Sequence, residues 1–125
     1  MTLMMITIKG GKTMECKVVE TNLENQNLIH RARAEIFRVT RVLEKITQHE
    51  MAKMLRLGSN TYSNIEKGKR EVSINNVGAY SLVFGVEISD FLKAEKEVAE
   101  LLANNMKTRY IGYVVCKLLL TSKNQ

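Results

Sequence analysis

The sequence predicts an all-α fold in which short helices follow one another closely. Apolar residues recur at helical spacing from residue 28 onward, and residues that favour helix ends lie between these segments. With 125 residues, 45% of them hydrophobic, the chain is long enough for one compact domain with a modest core. We therefore expect a helical domain at residues 28–93, an N-terminal extension at residues 1–27 and a C-terminal extension at residues 94–125.

The N-terminal extension is predicted to be β-rich. Two short runs of strand-forming residues within residues 6–19 flank Gly10 and Gly11, a pair suited to a hairpin turn. A second hypothesis starts translation at Met14, because the codons of the glycine pair and the lysine before it can form a purine-rich ribosome-binding sequence. Residues 1–13 would then be a start-site artefact, and the sequence leaves both hypotheses open.

The first two predicted helices are separated by a capping pattern. Residues 29–45 form a helix because their apolar residues, among them Ile36 and Phe37, approximate one helix face. Thr47 and Glu50 have the spacing of a capping box, in which each side chain binds the other residue's backbone N–H. A second helix therefore begins after this cap and continues to about residue 55.

Three further helices follow. A third helix, at 59–67, ends at Gly68, because glycine adopts the left-handed conformation of a helix C-terminus without strain. Ser73 is placed to cap a fourth helix that ends at Gly85, and Ser89 is placed to cap a fifth.

The C-terminal extension is apolar at helical spacing, which favours helices. Residues 110–115 are also rich in strand formers, so a strand that pairs with the N-terminal hairpin is an alternative for residues 110–120. The apolar content exceeds that of a free tail. The extension therefore packs on the domain or forms a dimer interface, and we predict the dimer.

The charge balance favours a polyanionic partner. Nineteen Lys and Arg against thirteen Asp and Glu give a net charge of +6, and residues 28–93 carry eleven basic against seven acidic residues. No membrane-spanning stretch, signal peptide, metal-ligand spacing or catalytic constellation is evident. We expect a cytoplasmic protein with free thiols that is not an enzyme and uses no metal, cofactor or membrane.

The stretch TQHEMAKMLRLGSNTYSNIEKGKR, residues 47–70, resembles the helix-turn-helix of the lambda repressor/Cro family, also called the XRE family. It has residues typical of that family, without a gap, at Thr47, Gln48, Ala52, Ser63, Ile65, Glu66, Gly68 and Arg70. The resemblance covers about residues 36–92. It implies a five-helix lambda-repressor-like domain whose third helix lies in the DNA major groove.

The turn between the second and third helices departs from the family pattern. Arg56 stands where the family has glycine, and Gly58 stands where the family has a serine or threonine cap. Because a non-glycine residue adopts a positive φ only at a cost, we expect the turn to shift so that Gly58 adopts the unusual angle. Gly58 is also a serviceable N-cap for the third helix.

The geometry of the motif and the resemblance together assign residues to DNA. Small polar residues, which are mediocre helix formers, occupy the start and outer face of the third helix, where they can contact base edges: Ser59, Asn60, Thr61, Ser63 and Asn64. Asn60 and Asn64 are favoured, because they share one face and an Asn amide can pair bidentately with adenine. The residues expected at backbone phosphates are Gln48, Lys67, Lys69 and Arg70.

Other residues of the motif are expected to have structural roles. The resemblance implies that Arg41 and Glu66 form an ion pair between the first and third helices and do not bind DNA. Tyr62 is expected in the core. Three arginines of the first helix either extend the phosphate contacts or only solvate that helix, and the sequence does not decide between these roles: Arg31, Arg33 and Arg38.

These observations lead to two functional hypotheses. The first is a sequence-specific transcriptional regulator, in particular a repressor, that binds a palindromic operator in double-stranded DNA as a homodimer. The alternative is a protein-interaction module, such as an antitoxin or phage-encoded inhibitor, whose C-terminal extension binds a protein partner. The extension is too short for a conventional sensor domain, so we expect no small-molecule effector.

Overall fold

The computed structural model describes residues 11–105 and 108–120, with side chains at 27–105 and 109–120. In these residues all regular structure is helical: α1 Gly11–Leu43, α2 Gln48–Met54, α3 Ser59–Glu66, α4 Ile74–Phe84, α5 Ile88–Ala103 and α6 Thr108–Val115, which continues as a π-helical segment, Cys116–Leu120. The predicted all-α fold is confirmed. The described part of the chain has six helices instead of the predicted five, because the C-terminal extension contributes α6.

The N-terminal half of α1 corrects the prediction of a β-rich extension. α1 runs without interruption from Gly11 to Leu43, so residues 11–27 are helical and the hairpin expected within residues 6–19 is not supported. Gly11 begins a helix instead of forming a turn, because the segment after it contains strong helix formers such as Met, Glu and Lys and has no proline. Residues 1–10 lie outside the described residues, and the start at Met14 stays a prediction.

α1 is the central helix of the core. Its residues Ile36 and Phe37 are fully buried, and the helix packs against α5, α6 and α3. Phe37 stacks on Tyr80 of α4 with ring centroids 5.3 Å apart, and Phe91 of α5 meets Tyr80 edge-on at 5.0 Å. The Tyr80 hydroxyl lies 2.7 Å from Thr40 Oγ1. This hydrogen bond satisfies a phenol that would otherwise be costly to bury.

The starts of α2, α3, α4 and α5 share one arrangement of apolar residues. In each helix, the residue before the N-cap and the fourth helical residue are apolar, which are the positions of a hydrophobic staple. The second member of each pair is fully buried, and the first is buried or half-buried against the core. The pairs are Ile46 and Met51, Leu57 and Tyr62, Val72 and Val77, and Val86 and Phe91.

Side-chain caps confirm the predicted starts of α2 and α4. The Glu50 N–H donates to Thr47 Oγ1 at 3.1 Å, and the Thr47 N–H donates to Glu50 Oε1 at 2.9 Å. Ser73 and Asn76 form the same reciprocal pair at α4. The backbone angle also confirms the predicted end of α4, where Gly85 is left-handed with φ +65°.

The start of α5 differs from the prediction. The helix begins at Ile88 with Glu87 as its N-cap, and Glu87 forms no side-chain cap, so the predicted cap at Ser89 is wrong. The staple residues Val86 and Phe91 are 5% and 0% exposed. Their burial places the N-cap at Glu87, two residues before Ser89, although Ser89 has the better capping side chain.

The turn between α2 and α3 also corrects a prediction. Arg56 is left-handed with φ +61°, whereas Gly58 is extended with φ −67° and ψ 151°. The Arg56 N–H donates to the Lys53 carbonyl at 3.1 Å and the Leu57 N–H to the Ala52 carbonyl at 2.8 Å. These two bonds form a Schellman motif, which requires a left-handed residue at position 56 whatever its side chain. Gly58 therefore remains available as the N-cap of α3, as predicted.

The C-terminal extension packs on the domain. Beyond α5, four apolar residues of the extension are at most 6% exposed: Ile111, Val114, Val115 and Leu119. They belong to α6 and the π-helical segment, which contact α1 and α5. The strand alternative for residues 110–120 is therefore wrong: these residues are helical, and the buried ones recur every three or four positions and not every second one.

Candidate nucleic-acid interface

α3 has a buried face and a polar face. Tyr62 and Ile65 are fully buried, which confirms the core position of Tyr62 and fixes the side of the helix that faces inward. The predicted base-contact residues all lie on α3 with different exposure. Two are exposed at its N-terminus and three are half-buried along it: Ser59 and Asn60, then Thr61, Ser63 and Asn64.

An ion pair holds the C-terminal end of α3 against α1. Arg41 Nε lies 2.7 Å from Glu66 Oε2, and Arg41 Nη2 lies 3.3 Å from Glu66 Oε1. Arg41 Nη1 also donates to the Ile46 carbonyl at 3.1 Å, just before α2. The carboxylate is nearly buried, since the Glu66 side chain is 4% exposed. One guanidinium thus connects α1, the α1–α2 loop and α3.

The protonation states of this network follow from burial and hydrogen bonding. Burial acts to raise the pKa of Glu66, but hydrogen bonds, above all from Arg41, outweigh it and hold this pKa below its usual value. The hydrogen bond to Glu66 raises the pKa of Arg41. Burial raises the pKa of the neighbouring Tyr62 phenol far above its usual range. Near neutral pH the pair is therefore charged and the phenol is neutral.

Gln48, expected at a phosphate, is exposed at the first position of α2. Its amide nitrogen donates to Glu66 Oε1 at 2.8 Å. An amide nitrogen carries two N–H groups, so this bond leaves one for a further acceptor. The hydrogen bond joins the start of α2 to the end of α3 and orients the amide at the positive end of the α2 dipole.

A contact between His49 and Ser59 joins the starts of α2 and α3. His49 Nδ1 lies 2.8 Å from Ser59 Oγ, and both residues are exposed. The sequence did not predict this contact. No pattern in the sequence connects two residues ten positions apart across a turn. One predicted base-contact residue is thus oriented by a side chain of α2.

The three predicted basic residues after α3 do not lie together. Lys67 is the C-cap of α3, whereas Lys69 and Arg70 line a cleft of about 470 Å³ between α1 and the α3–α4 loop. Gly68, between them, is left-handed with φ +78°, as predicted for the end of α3. The chain changes direction at this glycine, so Lys67 is directed differently from Lys69 and Arg70.

The α3–α4 loop is fixed to α1 at Val72. The Val72 N–H donates to His30 Nδ1 at 3.3 Å, and its carbonyl accepts from Arg33 Nη1 at 2.8 Å. Arg33 Nε in turn lies 2.7 Å from Glu95 Oε1 of α5, in an ion pair whose side chains are 14% and 12% exposed. The loop that carries Lys69 is therefore fixed through both the N–H and the carbonyl of Val72.

Within residues 11–105 and 108–120, no helix is both long and apolar enough to cross a membrane. In the same part of the chain, no three potential metal-ligating side chains cluster together.

Comparison with known protein families gives one match. Residues 38–91 match the family model described as helix-turn-helix, a segment that contains Arg41, α2, α3 and α4 and the start of α5. Neither the comparison with curated proteins nor that with solved structures gives a match. The match agrees with the resemblance at residues 47–70 and with the observed turn between α2 and α3. Residues 38–91 of this chain are therefore similar to the lambda repressor-like, XRE-type, helix-turn-helix family.

Proposed function

We propose that the protein is a sequence-specific transcriptional repressor that binds a palindromic operator as a homodimer, with α3 in the major groove. The observation that best supports this proposal is the polar face of α3. Tyr62 and Ile65 are fully buried on the other side of the helix, so the polar face points outward. Small polar side chains on such a face can approach base edges, whereas long solvating side chains would keep the helix away.

The base contacts fall to the five polar residues of α3. Asn60 is exposed at the N-terminal end, which in helix-turn-helix complexes is the end that meets the bases. Asn64 lies one turn further along and offers a second amide that can pair with adenine. Ser59 is a further candidate, because its bond to His49 gives its hydroxyl a defined direction.

The phosphate contacts supply affinity that is independent of sequence. Gln48 is placed at the N-terminus of α2, and Lys67, Lys69 and Arg70 follow α3, so the proposed contacts come from residues before and after α3 in the chain. Each neutralised phosphate releases counterions, so binding should weaken steeply as salt rises.

A dimer would present two α3 helices to successive turns of the duplex, roughly 34 Å apart. We propose the C-terminal extension, residues 94–125, as the dimer contact. Its apolar residues on α6 are largely covered by the same chain, which leaves the exposed Tyr110 and Tyr113, at 42% and 65%, as the aromatic surface for a partner copy. Aromatic residues of this kind often dominate the energy of an interface.

The dimer is tested by the molar mass in solution. Light scattering of wild type should give twice the monomer mass of 14.2 kDa, and Tyr113→Ser should shift the protein toward monomer. Leu82→Ser, a change at an exposed apolar residue of α4 outside the extension, serves as the control. A monomeric wild type at micromolar concentration would remove the dimer from the proposal.

The function as a whole is tested by selection from a random duplex pool near physiological salt. Wild type should enrich a two-fold-symmetric site, and Asn60→Ala/Asn64→Ala should lose this enrichment while it keeps salt-sensitive binding. Enrichment of the same site by both proteins would contradict the assigned base contacts. Binding without any enriched site would contradict sequence-specific regulation.

Whether the protein represses or activates transcription is tested at a promoter that contains the selected site. A repressor of the proposed kind should protect promoter DNA and reduce transcription from it in a purified system, because a bound dimer occludes polymerase. The alternative, a protein-interaction module, expects apolar side chains of the C-terminal extension to be exposed. Most of the described ones are buried or half-buried within the same chain, so we favour DNA binding.

A further inference from the structure

The three arginines of α1 that the sequence left undecided have different environments. Arg33 is buried between Glu95 and the Val72 carbonyl. Arg38 pairs with Glu35 on the same helix at 2.8 Å. The third arginine, Arg31, is exposed. Of the three, only Arg31 is exposed and has no ion pair among the described residues.

Arg31 lines the cleft between α1 and the α3–α4 loop. The α1 wall is formed by Asn27, His30 and Arg31, and the loop wall by Gly68, Lys69, Arg70 and Glu71. The lining of the cleft therefore contains three basic side chains, those of Arg31, Lys69 and Arg70, and one carboxylate. That carboxylate, on Glu71, is 84% exposed and lies 3.9 Å from His30 Nε2. The cleft has an excess of positive charge and room for a tetrahedral anion.

The spacing of the two walls of this cleft is set by part-buried hydrogen bonds between α1 and the loop. His30 and Arg33 hold the N–H and the carbonyl of Val72, and Val72 itself is fully buried. The loop wall is thus fixed relative to α1 in the free protein. A preorganised anion site loses less free energy on binding than one whose basic side chains must first be assembled.

We infer that Arg31, together with Lys69 and Arg70, binds a backbone phosphate of the DNA at this cleft, beyond the bases that α3 contacts. The inference rests on the proposed function. The cleft is continuous with the proposed interface, because Lys69 and Arg70 follow α3 within four residues. A guanidinium can bind phosphate through two parallel hydrogen bonds, which makes arginine suited to this role.

Two features favour a phosphate of the duplex over a free anion. The cleft is open to solvent, and its basic residues are exposed, so an isolated small anion would keep most of its water. A duplex that lies against the polar face of α3 brings many phosphates to the same surface at once. His30, Arg31 and Arg33 precede residues 38–91, so this contact adds to the segment that matches the family.

The test measures affinity for a random-sequence duplex by fluorescence anisotropy between about 0.05 and 0.3 M salt. Arg31→Gln should bind roughly threefold to tenfold more weakly near 0.1 M salt, and the slope of log K against log salt should be shallower by about 0.9, the value for one phosphate. Glu71→Gln should bind about twofold to threefold more tightly, because it removes the carboxylate that opposes the anion.

Lys96→Gln is the matched control. It removes the same charge from an exposed position on α5, outside the residues that line the cleft, and should keep the wild-type slope. All four proteins should have the same thermal midpoint within error, since Arg31, Glu71 and Lys96 are exposed. A fall in affinity for Arg31→Gln with an unchanged salt slope would overturn the phosphate contact.

The outcomes separate this inference from the proposed function. If wild type binds duplex DNA and Arg31→Gln matches it in affinity and slope, the cleft inference fails and DNA binding stands. If wild type binds no duplex, the proposed function fails. In that case, backbone amide shifts at residues 30–31 and 69–70 on titration with inorganic phosphate would show a free anion site and overturn the assignment to DNA.

Discussion

α2 and α3 are adjacent helices of similar length that begin in opposite ways. α2 starts with a reciprocal side-chain cap between Thr47 and Glu50, whereas α3 starts at Gly58, which has no side chain to offer. α3 is instead held from behind, by the burial of Tyr62 and Ile65 and by the ion pair of Glu66. The comparison shows how a helix can be oriented firmly while the polar groups of its first turn stay available to a ligand.

The largest effect should come from removing the contact that holds α3 at its C-terminal end. Glu66→Ala leaves the guanidinium of Arg41, which is 19% exposed, without its carboxylate. We expect the free energy of unfolding to fall by roughly 3 kcal/mol, since removal of one partner strands a largely buried charge. Urea denaturation followed by circular dichroism measures this change.

Glu35→Ala is the control for that experiment. Glu35 and its partner Arg38 are 27% and 31% exposed and lie three residues apart on α1. Loss of this more exposed pair should cost at most about 1 kcal/mol. Equal losses for Glu66→Ala and Glu35→Ala would mean that the contact behind α3 is no stronger than a surface ion pair.

Acid should weaken the same contact without a mutation. Hydrogen bonds from Arg41 and others hold the pKa of Glu66 below the value of 4.5 expected for the unfolded chain. The resulting stabilisation is fully present above that pH and is lost as the pH falls through the lower pKa of the folded protein. The free energy of unfolding should therefore decrease below about pH 4.5, and less steeply in Glu66→Gln, where a neutral amide cannot titrate.

The next effect concerns the polar face of α3. Asn64→Ala should cost about 1–3 kcal/mol on the selected operator and relax the preference at one base pair. Lys69→Ala should weaken selected and random duplexes by similar factors, because a phosphate contact carries no sequence information. Binding isotherms on both duplexes measure the difference. Similar losses on both for Asn64→Ala would show that this residue does not contact a base.

The cap of α2 should have a smaller effect. Thr47→Ala removes the hydroxyl that accepts the Glu50 N–H, and we expect the free energy of unfolding to fall by about 1 kcal/mol. Ser73→Ala at α4 provides a matched comparison, because it removes the same type of cap from a helix outside the proposed base contacts. If Thr47→Ala left stability unchanged while Ser73→Ala lowered it, the α2 cap would not contribute as the geometry suggests.

The smallest effect should come from giving α3 the cap that it lacks. Gly58 has an allowed φ of −67°, and a Cβ there would lie 3.8 Å from Thr61 Oγ1, an ordinary contact. Gly58→Ser should therefore raise the free energy of unfolding by a few tenths of a kcal/mol, roughly the difference between Ser and Gly at an N-cap. A loss of stability, measured as a lower urea midpoint, would show that the start of α3 tolerates no side chain.

Features that depend on neighbouring residues were predictable from the sequence. The capping box at Thr47, the fourth-helix cap at Ser73 and the left-handed glycines at 68 and 85 were all identified, because each depends on residues within a turn or two of chain. The resemblance also implied the pairing of Arg41 with Glu66, which lie 2.7 Å apart. Local chemistry and the family pattern together described most of residues 38–91.

Predictions failed where packing overrides local preference. Ser89 is the better capping residue, but the burial of Val86 and Phe91 starts α5 earlier. Gly58 adopts left-handed angles more easily than Arg56, but the hydrogen bonds that end α2 require them at position 56. In both cases the residue best suited to the conformation does not adopt it. Contacts that form only when the helices pack together assign the conformation to another residue.

The cleft at Arg31 was out of reach for a different reason. Its walls come from residues about forty positions apart, brought together by the bonds of Val72 to His30 and Arg33. A sequence pattern showed three arginines on α1 but not which of them was already paired. Distinguishing them needs the positions of Glu95 and of the α3–α4 loop, which only the tertiary structure supplies.

α1 fixes the spacing between two parts of the proposed DNA interface. Arg41 fixes the end of α3, and Arg33 fixes the loop after it, so one rigid helix spaces these two points. Eight residues of α-helix span about 12 Å. One inserted residue would rotate one guanidinium about the helix axis by roughly 100° relative to the other. A loop can absorb an insertion, but this interval of α1 cannot. An insertion between Arg33 and Arg41 would therefore break at least one of the two contacts that position α3 and the loop after it.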